Sequence, residues 1–107
     1  MLTVRRLPQF DAWLSGLRDM QAKARLLARL RKAQQGNLGD TQAVGGGVSE
    51  MREHFGPGWR TYIVQRGACL IVMLGGGDKR TQKRDIAEAK RLANLLEDDD
   101  ENQNQGS

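Results

Sequence analysis

Apolar positions change their spacing several times along the chain, and each change marks an element. "LTVRRL" at the N-terminus alternates weakly, as a half-buried strand does. Pro8 then suits the first turn of a helix, where its missing N–H costs nothing. Within "PQFDAWLSGLRDM", Phe10, Trp13, Leu14 and Leu17 recur at helical spacing as core anchors, and Gly16 weakens the helix without ending it. A second helical pattern spans about Asp19 to Gln35. Met20, Leu27 and Leu30 mark its apolar face with Leu26 at the border, while Arg25, Arg29 and Lys32 cluster opposite. "QGNLGD" stops this helix, with Gly36 available as its C-terminal cap.

From Ala43 the period shortens. "VGGGVSEMREHF", "WRTYIVQR" and "CLIVML" read as three strands, separated by turns at Gly56-Pro57-Gly58 and Arg66-Gly67. Alternation puts Trp59, Thr61 and Ile63 on one face of the middle strand and Arg60, Tyr62 and Val64 on the other. In the strand before it, Glu50, Arg52 and His54 share a face opposite Met51, Glu53 and Phe55. The last strand is almost wholly apolar, which predicts a central position covered by helices. A final helix, about 82–96, carries Ile86, Ala89, Leu92, Ala93 and Leu96 at helical spacing. The expected fold is α+β, in the order β-α-α-β-β-β-α, with helices packed on a mainly antiparallel sheet.

Charge sharpens this outline. The net charge of +4 combines an acidic run at 97–101, "EDDDE", with a body (1–96) that holds 17 Lys/Arg against eight Asp/Glu. So basic a small domain attracts a polyanion: nucleic acid, an acidic protein partner, or both. The 97–107 segment ends in "NQNQGS" and has the composition of a disordered tail. No apolar run approaches the ~18 residues of a membrane span, and "MLTVRRLPQF" lacks the apolar stretch of a secretion signal. The single cysteine, Cys69, lies in a strand-like apolar run and reads as a buried, inert thiol. Together these features predict a cytoplasmic protein.

One stretch, "LIVMLGGGDKRTQKRDI", has the outline of a phosphate cradle. Its spacing does not fit a P-loop, which needs G-x-x-x-x-G-K-[ST]. Asp78 separates Gly77 from Lys79, Arg80 separates Lys79 from Thr81, and an aspartate inside the cradle would repel the phosphate. The plainer reading is a strand end, a turn and a helix start capped by Asp78 or Thr81.

Four segments carry a resemblance: "FDAWLSGLRD", "GNLGDTQAVGGGVSEMRE", "FGPGWRTYI" and "MLGGGDKRTQKRDIAEAKRLA". In this order and spacing, residues 1–96 resemble the RelE/ParE toxin superfamily, in particular its phage-related, HigB-like addiction module killer subgroup of type II toxin–antitoxin systems. The resemblance implies a compact RelE-like domain that cleaves mRNA in the ribosomal A site and thereby stops growth. A cognate antitoxin, a small helix-turn-helix protein, would neutralise it. The sister branch uses the same fold to poison DNA gyrase without nuclease activity, and a non-enzymatic basic nucleic-acid-binding protein is a third reading.

The ribonuclease chemistry implied is attack of a 2′-hydroxyl on the adjacent phosphate, with no cofactor and no metal. It needs a proton acceptor, cations for the added phosphate charge, and a proton donor for the 5′-oxygen. Arg60, in "GPGWR", matches the family's G-x-x-R arginine, and a guanidinium can clamp two phosphate oxygens. Arg52 matches an "L-R" position at which Met51 replaces the usual leucine, and Lys79 matches the lysine after the last core strand. Glu50, His54 and Tyr62 are the acid/base candidates. Several relatives carry a C-terminal His or Tyr after the last strand, where this chain has a helix. Arg25, Arg29, Lys32, Arg80, Lys83 and Arg84 are the candidates for RNA and ribosome contact.

Overall fold

The computed structural model describes residues 1–105, with side-chain environments through residue 97. Its elements are β1 (Thr3–Arg6), α1 (Pro8–Ser15), α2 (Met20–Gln34), β2 (Thr41–Gly45), β3 (Val48–Arg52), β4 (Arg60–Arg66), β5 (Leu70–Gly77), a 3₁₀ turn (Lys79–Thr81) and α3 (Gln82–Gln105). The fold is α+β around one five-stranded mixed sheet in the order β1-β5-β4-β3-β2. Only β1 and β5 pair in parallel; every other neighbouring pair is antiparallel.

The element order differs from the sequence expectation by one strand. The single strand expected over "VGGGVSEMREHF" is instead a hairpin, β2–β3, turning through Gly45, Gly46 and Gly47, all with positive φ, and β3 ends at Arg52, so Glu53, His54 and Phe55 lie in the loop beyond it. Glycine adopts that backbone region without the Cβ clash that other residues suffer.

Period-two alternation divides the core between the two sheet faces. Tyr62, Val64, Val72 and Leu74 pack against Ala89, Leu92 and Ala93 of α3. Ile63, Ile71, Met73 and Met51 pack against Phe10 and Leu14 of α1 and Leu26, Leu30 and Ala33 of α2. Helices therefore cover both faces, which explains why β5 is apolar throughout. The strand is interior, although β4 rather than β5 takes the middle of the sheet.

Local chemistry accounts for the helix ends. Pro8 opens α1. Gly16 is the C-cap of α1 and ends it, contrary to expectation, with its N–H bonded to the Ala12 carbonyl. Asp19 caps α2 by accepting from the N–H groups of Gln21 and Ala22, both at 3.1 Å. The buried stripe of α2 is Ala22, Leu26, Leu30 and Ala33; Met20, assigned to the apolar face, is exposed. Small alanines, too weak a hydrophobic signal to mark the stripe, allow the helix to sit close to the sheet. Cys69 is exposed in the β4–β5 turn rather than buried in a strand. Finally, α3 runs past residue 96 to Gln105. No Gly or Pro interrupts that stretch, and each added helical residue gains a backbone hydrogen bond. The tail expected at 97–107 thus begins in helical backbone; its side chains from residue 98 lie outside the described residues.

Candidate functional site

Strand register gathers the three cations singled out from the sequence. Arg52 on β3 pairs with Arg60 on β4, which pairs with Gly77 on β5, two residues before Lys79. All three therefore stand at one end of the sheet. A bulge where Tyr62 and Ile63 meet Gly75 and Met73 shifts the β4–β5 register just before this end.

The glycine run holds no phosphate loop. Gly75, Gly76 and Gly77 are the last residues of β5, and none has positive φ. Their small size serves packing instead. A Cβ on Gly76 would lie 2.4 Å from the Trp13 ring, and one on Gly77 would collide with the Asp85 carboxylate. The strand end is thus pressed from one side by α1 and from the other by α3. Beyond it, Asp78 caps the 3₁₀ turn by accepting from the Arg80 N–H at 2.8 Å, and Thr81 completes a reciprocal capping box. Arg80 beside Asp78 holds that carboxyl below its ordinary range. The Lys79 stem lies across Gly58, where a Cβ would come within 2.8 Å of it. Gly58, at φ +79°, therefore lets the "GPG" turn and the lysine after β5 pack together.

Beneath this edge, on the α3 face, lies a buried polar network. Glu50 is 2% exposed, Arg60 4% and Tyr62 fully buried. The Tyr62 hydroxyl donates to Glu50 Oε2 at 3.1 Å, and the Gln82 amide donates to the same oxygen at 2.8 Å. Arg60 Nε faces Glu50 Oε1 at 3.7 Å. Burial first, then the neighbouring Glu50 charge, pushes the Tyr62 phenol well above its ordinary value. Arg60 Nη1 donates to the backbone carbonyls of Glu53 and Trp59 at 2.9 and 3.0 Å. Its guanidinium is committed to the protein interior and braces the 53–59 loop, so this cation stands behind the surface rather than on it.

Above it, a second cluster is open to solvent. His54 Nε2 lies 2.6 Å from Asp40 Oδ2, and Arg52 Nη2 donates to Asp40 Oδ1 at 3.2 Å. Arg52 Nη1 donates to Gln42 Oε1 at 2.8 Å. The contacts from His54 and then Arg52 lower the Asp40 pKa, which keeps its carboxylate ionised. Of the three acid/base candidates, His54 alone is exposed.

The cations expected to meet RNA divide into two kinds. Arg29 is not part of a free basic stripe. It donates to the carbonyls of Leu38, Asp40 and Arg52 and pairs with the Glu53 carboxylate at 2.5 Å, fastening α2 to the linker and to β3. Arg25 and Lys32 are exposed beside it, with the Arg25 guanidinium 4.4 Å from the centre of the Phe55 ring. Arg80, Lys83 and Arg84 are exposed and line a shallow concavity with Thr81 and Ala87 at the start of α3.

Sequence reasoning passed over Asp40, Gln42 and Gln82. Gln82 carried a weak signal as the first residue after a capped turn. Asp40 closes the "GNLGD" stop signal and read only as a turn residue; nothing local shows that it meets two side chains from β3 and the loop after it.

No family model and no solved structure matches the chain. It is 45% identical over 87 residues to an uncharacterized protein of Haemophilus influenzae (strain Rd), covering 81% of this chain and 88% of that one. At that identity and coverage, the chain belongs to the same family as the Haemophilus influenzae protein.

Proposed function

We propose that this protein is a RelE/ParE-type, HigB-like toxin of a type II toxin–antitoxin system, acting in the cytoplasm as a ribosome-dependent mRNA endoribonuclease. One observation carries the reading furthest: Arg52, Arg60 and Lys79 stand at a single sheet end, with His54 open to solvent beside them. In the reaction, a 2′-hydroxyl loses its proton and attacks the adjacent phosphorus. Negative charge then grows on the phosphate oxygens and on the departing 5′-oxygen. In this reading Arg52 and Lys79 meet that charge directly. Arg60 adds positive field from below and holds the loop that carries His54. Exposed Arg25, Lys32, Arg80, Lys83 and Arg84 supply the general attraction for RNA backbone. The same basic surface suits a cognate antitoxin that neutralises the toxin by covering it.

Expression of the protein alone tests the reading. Growth should halt with mRNA cut within codons on ribosomes, and where the adjacent reading frame encodes a small helix-turn-helix protein, its co-expression should restore growth. Growth arrest with DNA damage and intact mRNA would replace the ribonuclease by a gyrase poison. Normal growth with bound RNA would leave a nucleic-acid-binding protein.

A further inference from the structure

We propose that Asp40 is a positioning residue: it holds His54 as the proton-transferring group and Arg52 as the phosphate-binding cation in one constellation. This assignment rests on the ribonuclease reading and supplies the proton acceptor that the sequence left open among three residues.

Access decides among the three. Glu50 and Tyr62 are buried, and each is engaged with the other. Glu50 Oε2 already accepts two hydrogen bonds, and the phenol is a poor acceptor in its protonated state. His54 is 66% exposed in its side chain. Its Nε2 faces the Asp40 carboxylate at 2.6 Å, and a carboxylate accepts, so the ring hydrogen sits on Nε2. The Nδ1 lone pair is then left for substrate, and it makes no hydrogen bond among the described residues.

Asp40 is itself held firmly. Its carbonyl accepts from Arg29 Nη2 at 2.8 Å and from the Arg52 backbone N–H at 2.9 Å. The Arg29 guanidinium packs against Gly39, whose φ of +69° sets the linker's approach. The two carboxylate oxygens then divide their work, Oδ2 to His54 and Oδ1 to Arg52. Asp40 is the charged group in contact with the imidazole; Arg52 pairs with the other oxygen of the same carboxylate, and Arg29 pairs with Glu53, the residue before His54.

The step balances without a further reactant. His54 Nδ1 takes the proton of the 2′-hydroxyl, and the 2′-oxygen forms a bond to phosphorus. The bond from phosphorus to the 5′-oxygen breaks, and that oxygen leaves with the electron pair and takes a proton from solvent. His54 returns its proton to solvent, leaving a 2′,3′-cyclic phosphate and a 5′-hydroxyl.

The test is single-turnover cleavage of mRNA on programmed ribosomes, with ribosome affinity and thermal melting measured on the same proteins. His54→Ala should lose about 10²–10⁴ in rate. Asp40→Asn should keep its fold and most of its affinity for ribosomes, yet lose about tenfold or more in cleavage rate, because the ring and the Arg52 guanidinium are no longer held by a charged carboxylate. Asp40→Glu should recover part of the rate. In a His54→Ala background, Asp40→Asn should cost little more, since the two act as a unit. Wild-type rate in Asp40→Asn, equal losses of rate and affinity in it, or full activity in His54→Ala would overturn the assignment while leaving the ribonuclease standing. Intact mRNA with the wild-type protein would overturn the ribonuclease reading itself, and this assignment with it.

Discussion

The Glu50–Tyr62–Gln82 contact shows how one side chain ties stability to pH. Tyr62 is the single tyrosine of the chain, so phenolate absorbance reads it alone. Its folded pKa is raised above the ordinary phenol value of 10.0, so the stabilisation is fully present below that value. Above it the unfolded chain releases the proton while the folded chain retains it, and stability falls by about 1.4 kcal/mol per pH unit for this group. Tyr62→Phe should remove that alkaline dependence from the difference between the two proteins. It should also cost about 1–3 kcal/mol at neutral pH, by taking one donor from a buried carboxylate. Denaturant melts of both proteins across the alkaline range check both effects; parallel curves would mean that Tyr62 is not held neutral by its burial. Gly76 offers a second test. Gly76→Ala places a methyl group against the Trp13 ring, which should destabilise by about 1–3 kcal/mol through overpacking. Trp13→Leu should relieve part of that loss, a coupling that a double-mutant cycle measures.

Elements were legible where their signals were local and periodic. Pro8, Asp19 and the Asp78–Thr81 pair mark helix starts by their own chemistry, and Ile86, Ala89, Leu92, Ala93 and Leu96 lie on the packed side of α3 as their spacing predicts. The alternation of β4 also holds: Tyr62 and Val64 face α3, while Ile63 faces α1 and α2. The β2–β3 hairpin was hidden because β2 is an exposed edge strand with no apolar alternation. The buried face of α2 was blurred because alanines, not large residues, form half of it. Arg29 shows the limit most clearly. Helical spacing puts it with Arg25 and Lys32, yet its partners are carbonyls more than two helical turns away in sequence, visible only once the linker folds back. Arg29→Met should therefore loosen the 37–40 linker, and hydrogen exchange there should speed up while the central strands keep their protection. Unchanged exchange in the linker would show that its turn is held without the guanidinium.

At the scale of the molecule, exposed cations stand on both helical layers, Arg25 and Lys32 on α2 and Lys83 and Arg84 at the start of α3. The body carries 17 Lys/Arg against eight Asp/Glu, and five of its exposed cations are Arg25, Lys32, Arg80, Lys83 and Arg84. If Arg80, Lys83 and Arg84 track an RNA backbone, replacing them should weaken ribosome or RNA binding and flatten its salt dependence. The log–log slope should fall by about 0.7–0.9 for each phosphate that is no longer neutralised. Single-turnover cleavage at saturating ribosomes should change far less, because no hydrogen bond or ion pair among the described residues links these side chains to Arg52 or His54. An unchanged salt slope would move the RNA path off the start of α3. The most direct measurement is the chemistry of the ends left on mRNA after incubation of the purified protein with programmed ribosomes. Attack by the 2′-hydroxyl leaves a 2′,3′-cyclic phosphate upstream of the cut and a 5′-hydroxyl downstream, at positions within codons. Intact message, or cut ends bearing a 3′-hydroxyl and a 5′-phosphate, would contradict it.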